Sequence, residues 1–308
     1  MPSWKDMNIP QSAWDGIYKY LGDKTDEFMK SAEIRLRKYT EKWSLADIIF
    51  MKTDTVNLLY SCNSEIYGPC VLKMCIPGPE VTTEINCLKA YAGTKYCKLW
   101  DYDLTDDILL LEKVIPGNQM WDVKDYKERA KLFALTLKDL SIDYAGSEVY
   151  PTYFSWMNRI QQIMVNMGGL GDVLFYLNKA IEIYADLKQH YNRSCLLHGD
   201  MHQENLLLNS TGGYTIIDPK GVVDDPIMET ARFIVNETPC DEQKIHDIAN
   251  IIGQIIEVPE DVILKCTFID IALGGSWHME EHYPTQEAFK AKKQDVLSDC
   301  KFAYGLLN

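Results

Sequence analysis

The 308-residue sequence is short of several things, and each shortage removes a class of protein. Positive charge is scarce: 31 Lys and Arg face 45 Asp and Glu, a formal net charge of −14. Such a chain lacks the basic face that neutralises a phosphate backbone, so general nucleic-acid binding is excluded. No apolar run approaches the roughly 18 residues of a membrane-spanning helix. The opening Met1-Pro-Ser-Trp-Lys-Asp has no apolar signal core behind a basic head, and a cytoplasmic, membrane-free protein is expected. None of the nine cysteines forms a C-x-x-C pair, which argues for scattered reduced thiols over a disulfide framework or a zinc site. A G-x-x-x-x-G-K-[ST] phosphate loop, internal repeats and low-complexity tracts are all missing.

What remains is an ordinary globular composition, 46% hydrophobic and 25% charged, long enough for one large domain or two modest ones. The first third alternates short β-rich runs with turns. A helix is predicted over Ser12–Met29, strands over Leu45–Met51, Val56–Ser61 and Val71–Cys75, a helix over Glu80–Tyr91, and strands over Lys98–Tyr102 and Ile108–Val114. After Pro116-Gly117 the pattern changes to amphipathic helices: Lys124–Leu140, Tyr153–Met167, Val173–Tyr191, Asp225–Glu237, Asp241–Ile256, Asp261–His282 and Thr285–Leu306. Gly168-Gly169-Leu170-Gly171 follows no strand and reads as a helix break. A β-like island, Leu206–Leu208 and Tyr214–Ile217, interrupts the helices. These patterns divide the chain into 1–115 and 116–308. The acidity is concentrated in the second part: residues 221–282 hold 13 acidic groups against 3 basic, net −10. That excess is either a solvated surface or a field that gathers a cationic ligand.

The informative stretch surrounds the island. His198-Gly199-Asp200 is followed by Asn205, and an apolar hairpin then leads to Asp218. The protein-kinase catalytic loop has the same Asp-to-Asn interval and a metal-binding Asp after a similar hairpin. A hairpin holds two oxygen ligands, Asn205 and Asp218, so that they converge on Mg²⁺, a hard cation. Asp200 stays off the metal, free to orient a substrate hydroxyl and take its proton.

The run His198-Gly199-Asp200-Met201-His202-Gln203-Glu204-Asn205, then Ile217-Asp218-Pro219-Lys220-Gly221, then Asp225-Pro226 resembles the aminoglycoside phosphotransferases. It is most similar to the branch that groups streptomycin 6-phosphotransferases with hydroxyurea-resistance kinases. The resemblance implies an α+β, protein-kinase-like two-lobed fold: an N-terminal nucleotide-binding lobe of a small sheet plus helix, and a mainly helical C-terminal lobe that binds the acceptor. It also implies ATP or GTP with Mg²⁺, and phosphorylation of a hydroxyl on a small, cationic molecule such as streptomycin, with hydroxyurea or a common metabolite as the alternative acceptor. Lys73, in Val71-Leu72-Lys73, then reaches the α- and β-phosphates. Glu84 pairs with it; Glu80 competes, but Leu88 and Tyr91 follow Glu84 at the family's spacing. Leu109–Val114 resembles the interlobe hinge, which puts Glu112 and Val114 beside the adenine.

His198 and His202 read as residues that order the loop, the alternative for His202 being a ligand or acid–base group. Lys220 either neutralises the γ-phosphate region or pairs with Asp224. Asp225 before Pro226 reads as a helix cap. Trp277, Glu280, Glu281 and Asp270 are candidates for the acceptor pocket, against the plainer reading that Trp277 belongs to the core. One departure stands out. The loop expected over the phosphates, Thr53-Asp54-Thr55-Val56-Asn57-Leu58, has no glycine, and an inward Asp54 would repel a nucleotide. A non-catalytic ligand-binding protein on a kinase scaffold is therefore the competing class, opposed by the intact Lys73, Asp200, Asn205 and Asp218.

Overall fold

Helical periodicity at Trp14, Ile17, Tyr18 and Leu21 produces α1 (Gln11–Leu21). Gly22 then adopts φ 53, a left-handed conformation suited to glycine, and a short 3-10 turn leads into α2 (Thr25–Lys42). The single helix expected over Ser12–Met29 is thus two, and the second runs on to Lys42. The computed structural model describes residues 9–52, 56–138, 140–146, 148–238 and 240–307. Thr53, Asp54 and Thr55 of the expected phosphate loop lie outside the described residues.

The chain separates into two compact units, Met1–Gly117 and Asn118–Asn308. In the first, β1 (Leu45–Phe50), β2 (Leu58–Ser64), β3 (Gly68–Met74), β4 (Leu99–Asp103) and β5 (Ile108–Glu112) form one sheet of order β1-β2-β3-β5-β4. All its pairings are antiparallel. The period of two along β3 sends Cys70, Leu72 and Met74 into a core with Leu58, Tyr60, Tyr39 and Trp43. Lys73, between them in sequence, is left on the opposite face, and α3 (Pro79–Ala90) begins with Pro79 in its first turn.

The chain passes between units in β6 (Pro116–Gln119). The second unit holds α4 (Tyr126–Leu137), α5 (Tyr153–Met167), α6 (Gly171–Leu187), α7 (Glu229–Glu237), α8 (Glu242–Ile256), α9 (Glu260–Trp277) and α10 (Gln286–Gly305). Among them run β7 (Ile142–Asp143), β8 (Cys195–Leu197), β9 (Leu206–Asn209), β10 (Tyr214–Ile216) and β11 (Val222–Asp224). They make two three-stranded sheets, β10-β9-β6 and β11-β8-β7. Three-residue strands such as β8 and β11 carry no readable period, and both were missed in the sequence. Asp225 caps a 3-10 turn over Pro226–Met228, its Oδ1 accepting from the Ile227 N–H at 3.1 Å, and α7 starts only at Glu229. Among the described residues no helix is long and apolar enough to cross a membrane.

Candidate active site

In the first unit Lys73 is 3% exposed and donates from Nζ to both carboxylate oxygens of Glu84, each at 2.7 Å. Glu80 is exposed. Sheet pairing opposite Leu59 and Leu109 fixes the Lys73 backbone, so the ammonium has one direction in which to point. At the far end of β5 the backbone leaves the sheet. Glu112 is still engaged, its N–H donating to Lys98 O at 2.8 Å and its carboxylate accepting from Lys98 N at 3.1 Å. Lys113 N–H donates to Pro69 O at 3.3 Å. The Val114 N–H and C=O take no hydrogen-bond partner among the described residues. A β-carbon on Gly117, at φ 79, would stand 2.7 Å from Val114 O, so glycine is required for this approach.

In the second unit β8 delivers His198-Gly199-Asp200 from its end, and β11 returns alongside with Val222 opposite Leu197. His198 is fully buried, and its ring spans the loop: Nε2 donates to Ile217 O at 2.8 Å and Nδ1 accepts from the Asp200 N–H at 3.1 Å. Its carbonyl accepts from the N–H groups of Lys220 at 2.9 Å and Gly221 at 3.1 Å. Burial pushes its pKa down to about 4, so the ring is neutral, as these bonds require. Gly199 has φ 80, and a β-carbon there would lie 2.8 Å from Val222 Cγ1.

Sequence reasoning missed two residues of this site. Glu229, at the start of α7, accepts from the backbone N–H groups of His198 at 3.1 Å and Gly199 at 2.8 Å. Burial pushes its carboxyl up to about 7, against the pull of those two donors. One turn on, Arg232 lies between two acids, with Nε 3.3 Å from Asp200 Oδ1 and Nη2 3.2 Å from Asp270 Oδ1. Burial would raise the Asp200 carboxyl. The neighbouring Arg232 and Lys220 charges outweigh it and hold the group below the usual carboxylate range. Asp270, 2% exposed, is shifted the other way by burial.

Asn205 donates both amide hydrogens, to Asp200 O at 3.0 Å and to His202 Nε2 at 3.2 Å, leaving Oδ1 as the acceptor atom. Ile217 N–H donates to Asn205 O at 3.0 Å, which ties the backbone just before Asp218 to that of Asn205. Asp218 sits at φ 59, in the left-handed region that Asp tolerates better than most side chains. One amide oxygen and one carboxylate are the hard oxygen donors that would suit Mg²⁺. Among the described residues no group of three or more His, Cys, Asp or Glu side chains is assembled to hold a metal.

Asp224, one of the partners considered for Lys220, instead takes Lys188 at 2.9 Å, the Tyr184 hydroxyl at 2.8 Å and the Tyr153 N–H at 3.2 Å. The acceptor candidates are also partnered. Glu280 receives both terminal nitrogens of Arg159 at 2.9 and 2.6 Å, and Glu281 lies 2.6 Å from His278 Nδ1. Half-buried Trp277 meets Trp156 edge-on at 5.5 Å, and Trp156 borders the Gly199 turn.

The sequence matches, over residues 50–280, the family described as aminoglycoside/hydroxyurea antibiotic resistance kinase. It is 20% identical to the streptomycin 6-kinase of Streptomyces griseus over 247 residues, covering 73% of this chain and 74% of that one. Its structure is similar to the choline kinase of Streptococcus pneumoniae, with a TM-score of 0.62 at 13% identity, over 88% of this chain and 99% of that one. An aminoglycoside phosphotransferase solved with ADP and hygromycin B gives a TM-score of 0.56 at 13% identity, over 88% and 97%. The fold is the α+β, protein-kinase-like one.

Proposed function

We propose, from the premise that this chain belongs to the aminoglycoside/hydroxyurea antibiotic resistance kinase family, that it transfers the γ-phosphoryl of ATP or GTP to a hydroxyl of a streptomycin-like aminoglycoside. One observation carries the reading: the Asp200 loop is anchored by Glu229 and His198, while Asp200 Oδ2 takes no bond from a described residue. Asp200 orients the acceptor hydroxyl and accepts its proton. The acceptor oxygen bonds to Pγ, the bond from Pγ to the bridging oxygen breaks, and its electron pair leaves on the nucleoside diphosphate. Lys73, braced by Glu84, holds the α- and β-phosphates, and the open Val114 backbone groups serve the base. Asn205 Oδ1 and Asp218 are the residues that would hold Mg²⁺, which neutralises phosphate charge when bound. His198 and His202 keep the loop in shape, and Lys220 adds positive charge near Asp200.

The transition state is loose, so this positioning supplies most of the rate. The test is release of the nucleoside diphosphate from Mg-nucleotide across streptomycin, other aminoglycosides, hydroxyurea and small amino alcohols. Asp200→Ala is expected to lower kcat by at least ~10²–10⁴-fold while ADP still raises the melting temperature. Near-parental turnover in that variant would refute the reading, and binding without turnover across the panel would make the protein a non-catalytic ligand binder. Hydroxyurea is the second acceptor reading. It is favoured by the pairing of Asp270, Glu280 and Glu281 with Arg232, Arg159 and His278, which leaves few open carboxylates for a polycation.

A further inference from the structure

Arg232 has no part in phosphate chemistry as described so far, yet its guanidinium is wedged against the acid that receives the proton. Nε approaches Asp200 Oδ1 at 3.3 Å, and Nη2 approaches Asp270 Oδ1 at 3.2 Å. The two contacts come from different elements. Arg232 lies one turn after Glu229 on α7, so both face the same loop. Glu229 holds that loop by its backbone, whereas Arg232 reaches the side chain. Asp270 lies on α9, almost fully buried; among the described residues only Arg232 is within ion-pair distance, and Oδ2 has no hydrogen-bond partner. A β-carbon on Gly274, one turn further along α9, would stand 3.6 Å from Nη2, in ordinary van der Waals contact, so α9 runs alongside the guanidinium here.

A carboxylate can offer either oxygen, and rotation about χ2 exchanges them cheaply. The half-buried Arg232 meets one oxygen as an ion pair, its Nε making no hydrogen bond, and that charge opposes the exchange. The geometry assigns Arg232, braced by Asp270, as the positioning residue that occupies Asp200 Oδ1 and thereby presents Oδ2 to the acceptor hydroxyl. The inference rests on the phosphotransfer reading. The proton leaving the acceptor oxygen, as that oxygen bonds to Pγ, passes to Oδ2; Arg232 exchanges no proton and forms no bond. Arg232 also sets a limit on acceptors, because a cationic substituent next to the reacting hydroxyl would meet a guanidinium already in place. The acceptor hydroxyl must therefore be separated from the nearest ammonium or guanidinium of the substrate.

The experiment measures kcat and KM separately, for Mg-ATP and for streptomycin (hydroxyurea if streptomycin is not turned over), in the parent, Arg232→Ala, Arg232→Lys, Asp270→Asn and Asp200→Ala. Arg232→Ala is expected to lose about 100-fold in kcat with the KM for ATP unchanged. Arg232→Lys should be similarly weak, because an ammonium is a point charge that does not hold the fork geometry. Guanidinium chloride at millimolar concentration should restore part of the Arg232→Ala turnover, and sodium chloride at equal ionic strength should not. Asp270→Asn, which keeps the volume of the side chain, should reproduce a milder loss in kcat; it carries the test should Arg232→Ala fail to fold. Turnover lost in Asp200→Ala but kept within about threefold in Arg232→Ala, or in Asp270→Asn, would overturn this inference and leave the functional reading standing. Loss confined to KM would also overturn it. Turnover kept in Asp200→Ala would instead overturn the functional reading.

Discussion

In the first unit one lysine meets one glutamate: Lys73 and Glu84 are buried together, bonded twice at 2.7 Å. In the second unit, charge is pooled. Asp200, Asp270, Glu229 and Arg232 crowd a single loop, with a neutral histidine threaded between them. A pair is separable, since removing both halves removes the desolvation that they share. A pool is not, because each member sets the state of the others. Under the proposed function, the first arrangement suits a group that contacts a diphosphate as a charge, and the second suits a base whose direction matters.

The largest expected effect falls on the pair. Lys73→Met leaves the buried Glu84 carboxylate without its lysine and should cost about 3–5 kcal/mol in urea unfolding of the first unit. Lys73→Met/Glu84→Leu should recover most of that while ADP no longer raises the melting temperature. A double variant as unstable as the single one would show that the pair is not separable, and the contrast with the second unit would fail.

Within the pool, two groups titrate in opposite senses. His198 is lowered to about 4 from 6.5, so between those values the unfolded chain binds more protons and stability falls as pH falls. Glu229 is raised to about 7 from 4.5, so between those values the folded chain holds the extra proton and stability falls as pH rises. From about pH 4.5 to 6.5 the two slopes oppose each other in the parent. Glu229→Gln leaves His198 unopposed, and its stability should drop by about 1–2 kcal/mol more than the parent's between pH 6.5 and 5. Denaturant midpoints at the two pH values measure this, and parallel behaviour would count against the coupling.

The smallest effect lies at the periphery. Arg159 and Glu280 pair with side chains 52% and 30% exposed, and Arg159→Ala should cost less than about 1 kcal/mol. That cost should vanish in high salt, where exposed pairs are screened. A larger, salt-insensitive cost would place Glu280 with the pooled charges.

What could be read in the sequence was local. Asp200, Asn205 and Asp218 stand at fixed intervals along one hairpin, so spacing exposed them, whereas Lys73 stood out only through the resemblance of Val71-Leu72-Lys73 to the family's motif. Glu229 and Arg232 escaped notice because their partners are distant in sequence and meet only when α7 packs on the loop and α9. On a helical wheel each is one more charged residue. The break at Gly22 was missed for a different reason: apolar residues continue at helical spacing on both sides of it, so the period hides the left-handed turn. Strands of three residues, β8 and β11, owe their existence to pairing with each other rather than to any pattern of their own.

The stretch from Cys195 to Arg232 contains the loop, its hairpin, its histidine latch and both grips of α7. It is therefore close to a transplantable cassette: recombination on either side of it would move the proposed reacting centre, Asp200, Asn205 and Asp218, together. Some partners would stay behind. Asp270 belongs to α9, and a host without an acid at that place would inherit a half-buried guanidinium with half its counter-charge missing. Exchange of this segment between distant kinases is thus constrained by residues outside the segment exchanged: Asp270 for Arg232, and Lys188 and Tyr184 for Asp224.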